Sequence, residues 1–230
     1  ESPQIDSGNA LRYPLGEIGD RDRVDVILTN PPFGGEEERG ILANFPRDRQ
    51  TTETALLFLQ LIMRKLRRAP KPGRAAVVVP DGILGADGIA ERIKQELLRE
   101  FNLHTILRLP SGVFAPYTGI PTNVMFFDRS GPTRELWYYE HPLPEDRKTY
   151  TKTAPLDYSE FAEMLKWWSA RKPGRHAWKV AVSDVLADGC NLDIRNPALG
   201  AETAGKPSSV LIADLAGEIA AFGRSEERRV

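Results

Sequence analysis

The sequence predicts an α/β fold: a largely parallel sheet with helices on both faces, followed by a C-terminal helical appendage. Three observations point there. Short β-branched runs stop abruptly at proline or glycine, apolar residues recur at helical spacing between them, and both patterns loosen beyond Ser130. Val24-Asp25-Val26-Ile27-Leu28 reads as a buried strand running into Asn30-Pro31-Pro32. From Thr51 to Arg68, Ala55, Leu56, Leu59, Ile62, Met63 and Leu66 fall on one helical face, with Thr51 or Thr52 as a candidate N-cap. The turn Pro70-Lys71-Pro72-Gly73 feeds a second strand, Ala75 to Val79, which Pro80-Asp81-Gly82 stops. A helix from Gly88 to Glu100 buries Ile89, Ile93, Leu97 and Leu98 before a third strand, His104 to Leu109. A fourth, Asn123 to Phe127, closes the series. Strand and helix alternating in units of this length imply parallel crossovers, with ligands at the C-terminal strand ends. Asn30-Pro31-Pro32-Phe33 and Pro80-Asp81-Gly82 both fall on that edge.

Beyond Ser130, Glu135 to Glu140 reads as an edge strand and Tyr158 to Arg171 as a helix carrying Phe161, Leu165 and Trp168. Arg195 to Pro207 is rich in small residues, Gly and Pro, as linkers are. Leu211, Ile212, Leu215, Ile219 and Phe222 then form one stripe of a terminal helix that needs a surface to dock on. The expected organisation is a main domain over 1–130, a mixed appendage over 131–200, and a linker with docking helix over 201–230.

Composition narrows the function classes. The 31 Lys and Arg against 32 Asp and Glu give a net charge of −1, so the chain is no strongly basic nucleic-acid clamp. Any nucleic-acid contact must rest on partners or on local charge, such as Arg64, Lys65, Arg67, Arg68, Lys71 and Arg74. Those cations also suit a helix C-terminus with no ligand at all. One cysteine, Cys190, and the scattered His104, His141 and His176 predict no structural metal. No run approaches the roughly 18 to 20 apolar residues of a membrane span, and no export signal is visible, so a cytoplasmic setting is expected.

Asn30-Pro31-Pro32-Phe33 arises by chance in about one chain per thousand of this length. Two prolines can simply end a strand and leave an aromatic over the sheet end. The chemical reading is more specific. An exocyclic adenine amine is a weak nucleophile because its lone pair is delocalised into the ring. Two oxygen acceptors, the Asn30 side chain and a backbone carbonyl such as that of Pro31, would hold its two N–H groups and draw the nitrogen towards tetrahedral. Proline has no N–H of its own and fixes φ, so the carbonyl stays aimed. Phe33 would stack on a base swung out of the duplex.

Asn-Pro-Pro-Phe after a hydrophobic strand resembles the signature of amino-methylating DNA methyltransferases. The blocks Val24 to Gly35, Gly73 to Gly82 and Thr118 to Phe127 resemble, in order, the modification subunit of type I restriction-modification systems. That resemblance implies the C-terminal part of a Rossmann-like methyltransferase sheet, S-adenosylmethionine as cofactor and N6-adenine methylation of DNA. It implies Asn30, Pro31, Pro32 and Phe33 as the catalytic loop. Gly8-Asn9-Ala10-Leu11 would lie near the cofactor's adenine, with Asn9 standing where the family often has an acid; Asn9 and Asn30 are then the cofactor contacts. Its partners would be DNA, a specificity subunit and a restriction subunit, with Leu211 to Phe222 as a candidate helix for the specificity subunit. The family's Gly-containing cofactor loop lies well upstream of the catalytic loop, whereas 29 residues precede Asn30 and no Gly-x-Gly occurs. The chain is therefore expected to be a piece of a longer protein that, taken alone, is inactive and binds S-adenosylmethionine weakly or not at all.

Two alternatives stay open on residues alone, and a third fails. Similar loops methylate cytosine N4, RNA or a protein glutamine. A non-catalytic structural subunit could keep such a sheet. Gly200 to Pro207 nearly matches a phosphate-binding loop, but Pro207 stands where the Mg²⁺-holding Ser or Thr is needed. Asp81 and Tyr117 to Asn123 read either as turns or as ligand contacts.

Overall fold

The computed structural model describes residues 3, 5–35 and 37–198. All elements below lie in one compact unit, Glu1–Ile194; the remainder, Arg195–Val230, forms a second. The linker reading from 199 on, the near-match at Gly200 and the helix at Leu211 to Phe222 lie outside the described residues.

Six strands form one sheet: β1 (Val26–Thr29), β2 (Arg74–Pro80), β3 (Asn102–Arg108), β4 (Thr122–Asp128), β5 (Glu135–Glu140) and β6 (Ala177–Ala181). Their spatial order is β1-β2-β4-β3-β5-β6. The helices are α1 (Arg39–Leu42), α2 (Thr54–Lys65), α3 (Gly82–Gly85), α4 (Ile89–Glu100), α5 (Ala162–Ser169) and α6 (Val182–Ala187). The α/β expectation holds, but the sheet is more mixed than predicted. β1 with β2 and β3 with β5 are parallel, whereas β4 runs antiparallel between β2 and β3. The reason is the connection. The 13 residues between Arg108 and Thr122 contain no crossover helix, and a parallel return needs about a dozen residues that carry one. The chain turns back instead.

Residues after 130 extend this same sheet. β5 is an inner strand, between β3 and β6, rather than the expected edge; β6, not foreseen, takes that place.

Alternation along β4 assigns the two faces. Met125 and Phe127 join the main core with Leu56, Leu59, Ile62 and Met63 of α2 and Ile93, Leu97 and Leu98 of α4. Val124 and Phe126 point the other way and meet α5, where Met164, Trp167 and Trp168 pack with Leu107 and Tyr139. α2 is buried on a second side too. Leu57 and Leu61 contact Leu11, Leu15, Ile18 and Phe45, so the N-terminal segment wraps the helix. The α5 face is bare over β1, where Val26 is 47% and Leu28 77% exposed.

α5 also shields His104. Its ring lies 5.9 Å from that of Trp168 and 6.5 Å from Phe126, and Arg171 Nη2 approaches its Nδ1 at 3.3 Å. Burial, then the Arg171 charge, push the His104 pKa down from 6.5 to about 4, with Asp128 opposing. The neutral ring is what this site accepts. Its stabilising contribution is complete above pH 6.5 and is lost as pH falls towards 4, because the unfolded chain then binds a proton that the folded one refuses. Urea denaturation between pH 7 and 4.5 should show stability falling with pH, and His104→Gln should flatten that slope by up to about one proton. Equal slopes in the two proteins would show that His104 is not the sensor.

Candidate active site

The register gathers several chain segments at one edge. β1 leaves its parallel pairing at Thr29, opposite Val77, and the next residue is Asn30. β2 ends there at Pro80, paired with Thr122 at the start of β4, and β3 ends with Arg108 beside Asn123. Asn30-Pro31-Pro32-Phe33, Asp81 and the loop 109–121 therefore emerge side by side.

Asn30 is exposed, and its side chain makes no hydrogen bond among the described residues; Pro31 is buried, Pro32 exposed and Phe33 half-buried. A buried proline anchors the turn while the preceding amide stays in solvent. The far end of this loop is gripped by α2. Buried Thr54 donates from Oγ1 to the Gly35 carbonyl at 3.0 Å, and Glu37 N–H donates to Thr52 O at 3.2 Å. Gly35 has φ +114°, a conformation that other residues rarely adopt. Asn9 joins here as well. Its Nδ2 donates to Glu37 at 3.2 Å, and its Oδ1 accepts from Leu11 N–H at 2.8 Å.

The loop 109–121 closes the other side. Leu109 N–H donates to Thr122 O at 3.1 Å, and Asp81 N–H donates to Pro121 O at 2.8 Å, which clamps the base of the loop. Ser111 O accepts from Tyr150 N–H at 3.1 Å and from Thr149 Oγ1 at 2.9 Å. Gly112, φ +81°, sits so close that a Cβ would stand 2.1 Å from Tyr150 O. This tether carries Phe114 onto Phe33, ring centroids 4.9 Å apart at 68°. Edge-to-face contact of this kind is favourable for two aromatic quadrupoles.

Beneath the loop lies a charge network. Arg108 Nη2 donates to Asp81 Oδ1 at 3.2 Å and to Asp193 Oδ1 at 2.6 Å, and its Nη1 donates to Ile194 O at 3.1 Å. Asn123 Nδ2 donates to the same Asp81 oxygen at 3.0 Å. Asp81 thus joins the ends of β2, β3 and β4. Of the stretch Tyr117 to Asn123, the structure buries Thr122 and Asn123 in β4 and leaves Tyr117 93% exposed.

Sequence reasoning missed Phe114, Arg108 and Asp193. Arg108 had a signal, a lone cation closing an apolar strand. Phe114 had a weaker one, an aromatic two residues after Gly112 in a turn rich in proline and glycine. Asp193 had none, since its partner is 85 residues away in the chain. Among the described residues no group of three His, Cys, Asp or Glu stands together as metal ligands, and no helix is long and apolar enough to cross a membrane.

A sheet of this order, with an Asn-Pro-Pro-Phe loop at its C-terminal edge, is the Rossmann-like methyltransferase type, and solved methyltransferase subunits superpose on it. The chain belongs to the N-6 DNA methylase family, whose model matches residues 1–205. It is 50% identical over 215 residues to the EcoEI type I restriction enzyme methylase subunit of Escherichia coli, covering 90% of this chain and 43% of that protein. The EcoKI methylase subunit of Escherichia coli strain K12 is 36% identical over 164 residues, or 66% of this chain and 30% of the relative. A modification subunit of a putative type I restriction enzyme from Vibrio vulnificus YJ016 superposes with a TM-score of 0.82 at 60% identity, covering 86% of this chain and 43% of that one. The resemblance read from the sequence is borne out. The chain spans less than half the length of the curated relatives it matches.

Arg108→Met should leave the Asp81 and Asp193 carboxylates facing each other without a cation. The network is partly open to solvent, with the Arg108 side chain 16% exposed, so the expected loss of stability is about 1 to 3 kcal/mol. Hydrogen exchange should quicken at the Asp81 and Leu109 amides, which clamp the loop. Unchanged exchange there would mean that the guanidinium does not hold the edge together.

Proposed function

We propose that this chain is the part of a DNA adenine-N6 methyltransferase that receives the target base, within the modification subunit of a type I restriction-modification complex. The observation that carries the reading is the exposed Asn30 amide, without a hydrogen-bond partner among the described residues, held beside Phe33 on a proline-braced turn. A polar group left free at a strand end, next to a tethered aromatic pair, has the form of a receiving site.

The roles follow from the donors and acceptors. Asn30 Oδ1 and the Pro31 carbonyl accept the two N–H groups of the swung-out adenine amine, which localises the nitrogen lone pair for attack. Both prolines hold that geometry without offering a competing N–H. Phe33 provides the stacking face. At 4.9 Å from its ring the Phe114 ring leaves no slot for a base, since a ring sandwiched between two others needs roughly 7 Å between their centroids. A base entering between the two rings therefore requires Phe114 to turn aside, and the exposed tip around Tyr117 gives the loop room to do so.

S-adenosylmethionine is the proposed donor, supplying a methyl group on a sulfonium. The residues in hand do not make up its pocket. No Gly-x-Gly occurs in the sequence, and the Asn9 amide is already bonded to Glu37 and Leu11. Asn30, with a free amide, is the better placed of the two expected contacts. The partners proposed on the family resemblance are DNA, a specificity subunit that reads sequence, and a restriction subunit.

Two measurements test this reading. In the full-length protein assembled with its specificity subunit, Asn30→Ala should cut methyl incorporation into DNA by about 10² to 10³-fold, the scale for losing one oriented transition-state contact, while circular dichroism and assembly stay unchanged. Methylation at the parental rate would remove Asn30 from the chemistry. Calorimetric titration of this chain with S-adenosylmethionine should detect no micromolar binding; a micromolar dissociation constant would show that residues 1–230 form a cofactor pocket after all.

A further inference from the structure

The end of the sheet opposite Asn30 carries a second feature that adenine methylation does not use. The basic run noted in the sequence folds around a concavity of about 420 Å³, lined by Asp20, Arg23, Arg67, Arg68, Ala69, Pro70 and Lys71. It adjoins a hollow of about 300 Å³ that Arg64, Arg68 and Arg129 share with Glu96 and Glu100. Arg68 lines both. Most of the nearby cations have internal partners. Arg67 pairs with Asp25 at 3.0 Å, Arg129 donates to Met63 O at 2.9 Å and stands 3.6 Å from Glu100, Arg49 pairs with Glu96, and Arg64 donates to Leu15 O at 3.0 Å.

Two cations lack such partners, and a third is only partly satisfied. Arg68 and Lys71 are exposed, and neither head group has an ion-pair or hydrogen-bond partner among the described residues. Arg23 is the telling one. It is only 5% exposed, yet its Nε and Nη1 donate no hydrogen bond to any described residue. The Asp20 carboxylate lies 3.0 Å from Nη1 but out of line with its N–H, and that carboxylate is itself 90% exposed. Burial and the neighbouring Arg68 and Arg64 charges all disfavour the Arg23 cation, with Asp20 opposing. A buried guanidinium with idle donors, next to like charge, is costly unless an acceptor is supplied.

We propose that Arg23, Arg68 and Lys71 form a binding site for a phosphate group at the sheet edge remote from Asn30. The chemistry selects phosphate over a carboxylate. Two forks and one ammonium line the concavity, Arg23 from one segment and Arg68 and Lys71 from another, and tetrahedral phosphate offers oxygens in several directions where a planar carboxylate serves one fork. The seven residues of β2, Arg74–Pro80, separate the two edges, a distance of roughly 20 Å. The phosphate held here is therefore not that of the nucleotide being methylated. It belongs to a second stretch of DNA backbone or to a free phosphate or nucleotide.

The test compares this chain with its Arg68→Ala/Lys71→Ala variant, both sites being exposed. A control variant, Lys152→Ala/Lys172→Ala, removes the same charge elsewhere. One arm follows the unfolding midpoint against inorganic phosphate; the other follows anisotropy of a labelled 20-base-pair duplex of G·C pairs only. The parent's midpoint should rise with phosphate and the variant's rise should be halved or less. If a DNA backbone is the ligand, duplex affinity also falls several-fold and the slope of log affinity against log salt becomes shallower by about two. Loss in the phosphate arm alone identifies a free phosphate ligand, and loss in the duplex arm alone identifies the backbone. A Lys152/Lys172 control that loses as much as the variant, or a variant equal to the parent in both arms, overturns the proposal.

Discussion

β4 is an antiparallel strand inserted between two that run the other way, and the site depends on that reversal. β3 ends at Arg108 and β4 begins at Thr122 on the same edge, so the loop joining them never leaves the neighbourhood of Asn30. A crossover connection would have carried those residues over a face of the sheet. Here they return within one loop, tethered to Tyr150 and clamped at Asp81. The reversal also places Asn123 beside Asp81, so backbone pairing and side-chain charge pull the same three strand ends together.

The two ends of the sheet differ in how they treat unsatisfied groups. At the Asn30 end, a neutral amide is left in solvent, where an idle donor and acceptor cost little. At the Arg23 end, two N–H groups of a charged side chain are left unbonded under cover, where the cost is higher. An exposed idle amide fits a partner that enters and departs with each turnover. A buried cation with unbonded N–H groups fits one that remains in place.

Much of this architecture was legible in the sequence, because local patterns encode it. β-branched runs stopped by proline placed β1 and β2, and helical spacing placed α2 and α4 within a few residues of their observed bounds. The Asn-Pro-Pro-Phe turn was legible because four adjacent residues carry its geometry. What escaped was non-local. Strand direction depends on what fills a connection, and the stretch from Leu109 to Pro121 gives no periodicity to read. β6 escaped because Ala177–Ala181 is short and polar at Lys179. Arg108 was visible as an oddity, but its partners Asp81 and Asp193 stand 27 and 85 residues away. Phe114 could be placed on Phe33 only once Gly112 was seen to lie against the Tyr150 backbone. The terminal helix expected at Leu211 to Phe222 falls outside the described residues.

Because the loop 109–121 leaves and re-enters the sheet at neighbouring positions, its length is uncoupled from strand register. Closing a longer flexible loop costs only about 0.6 kcal/mol per doubling, so residues added between Val113 and Ile120 would leave the pairing of β2, β3 and β4 untouched. The Asn30 turn has no such freedom, pinned as it is between β1 and Thr54. Residues can therefore be added to the loop that covers Phe33 while the Asn30 turn beneath it stays constant.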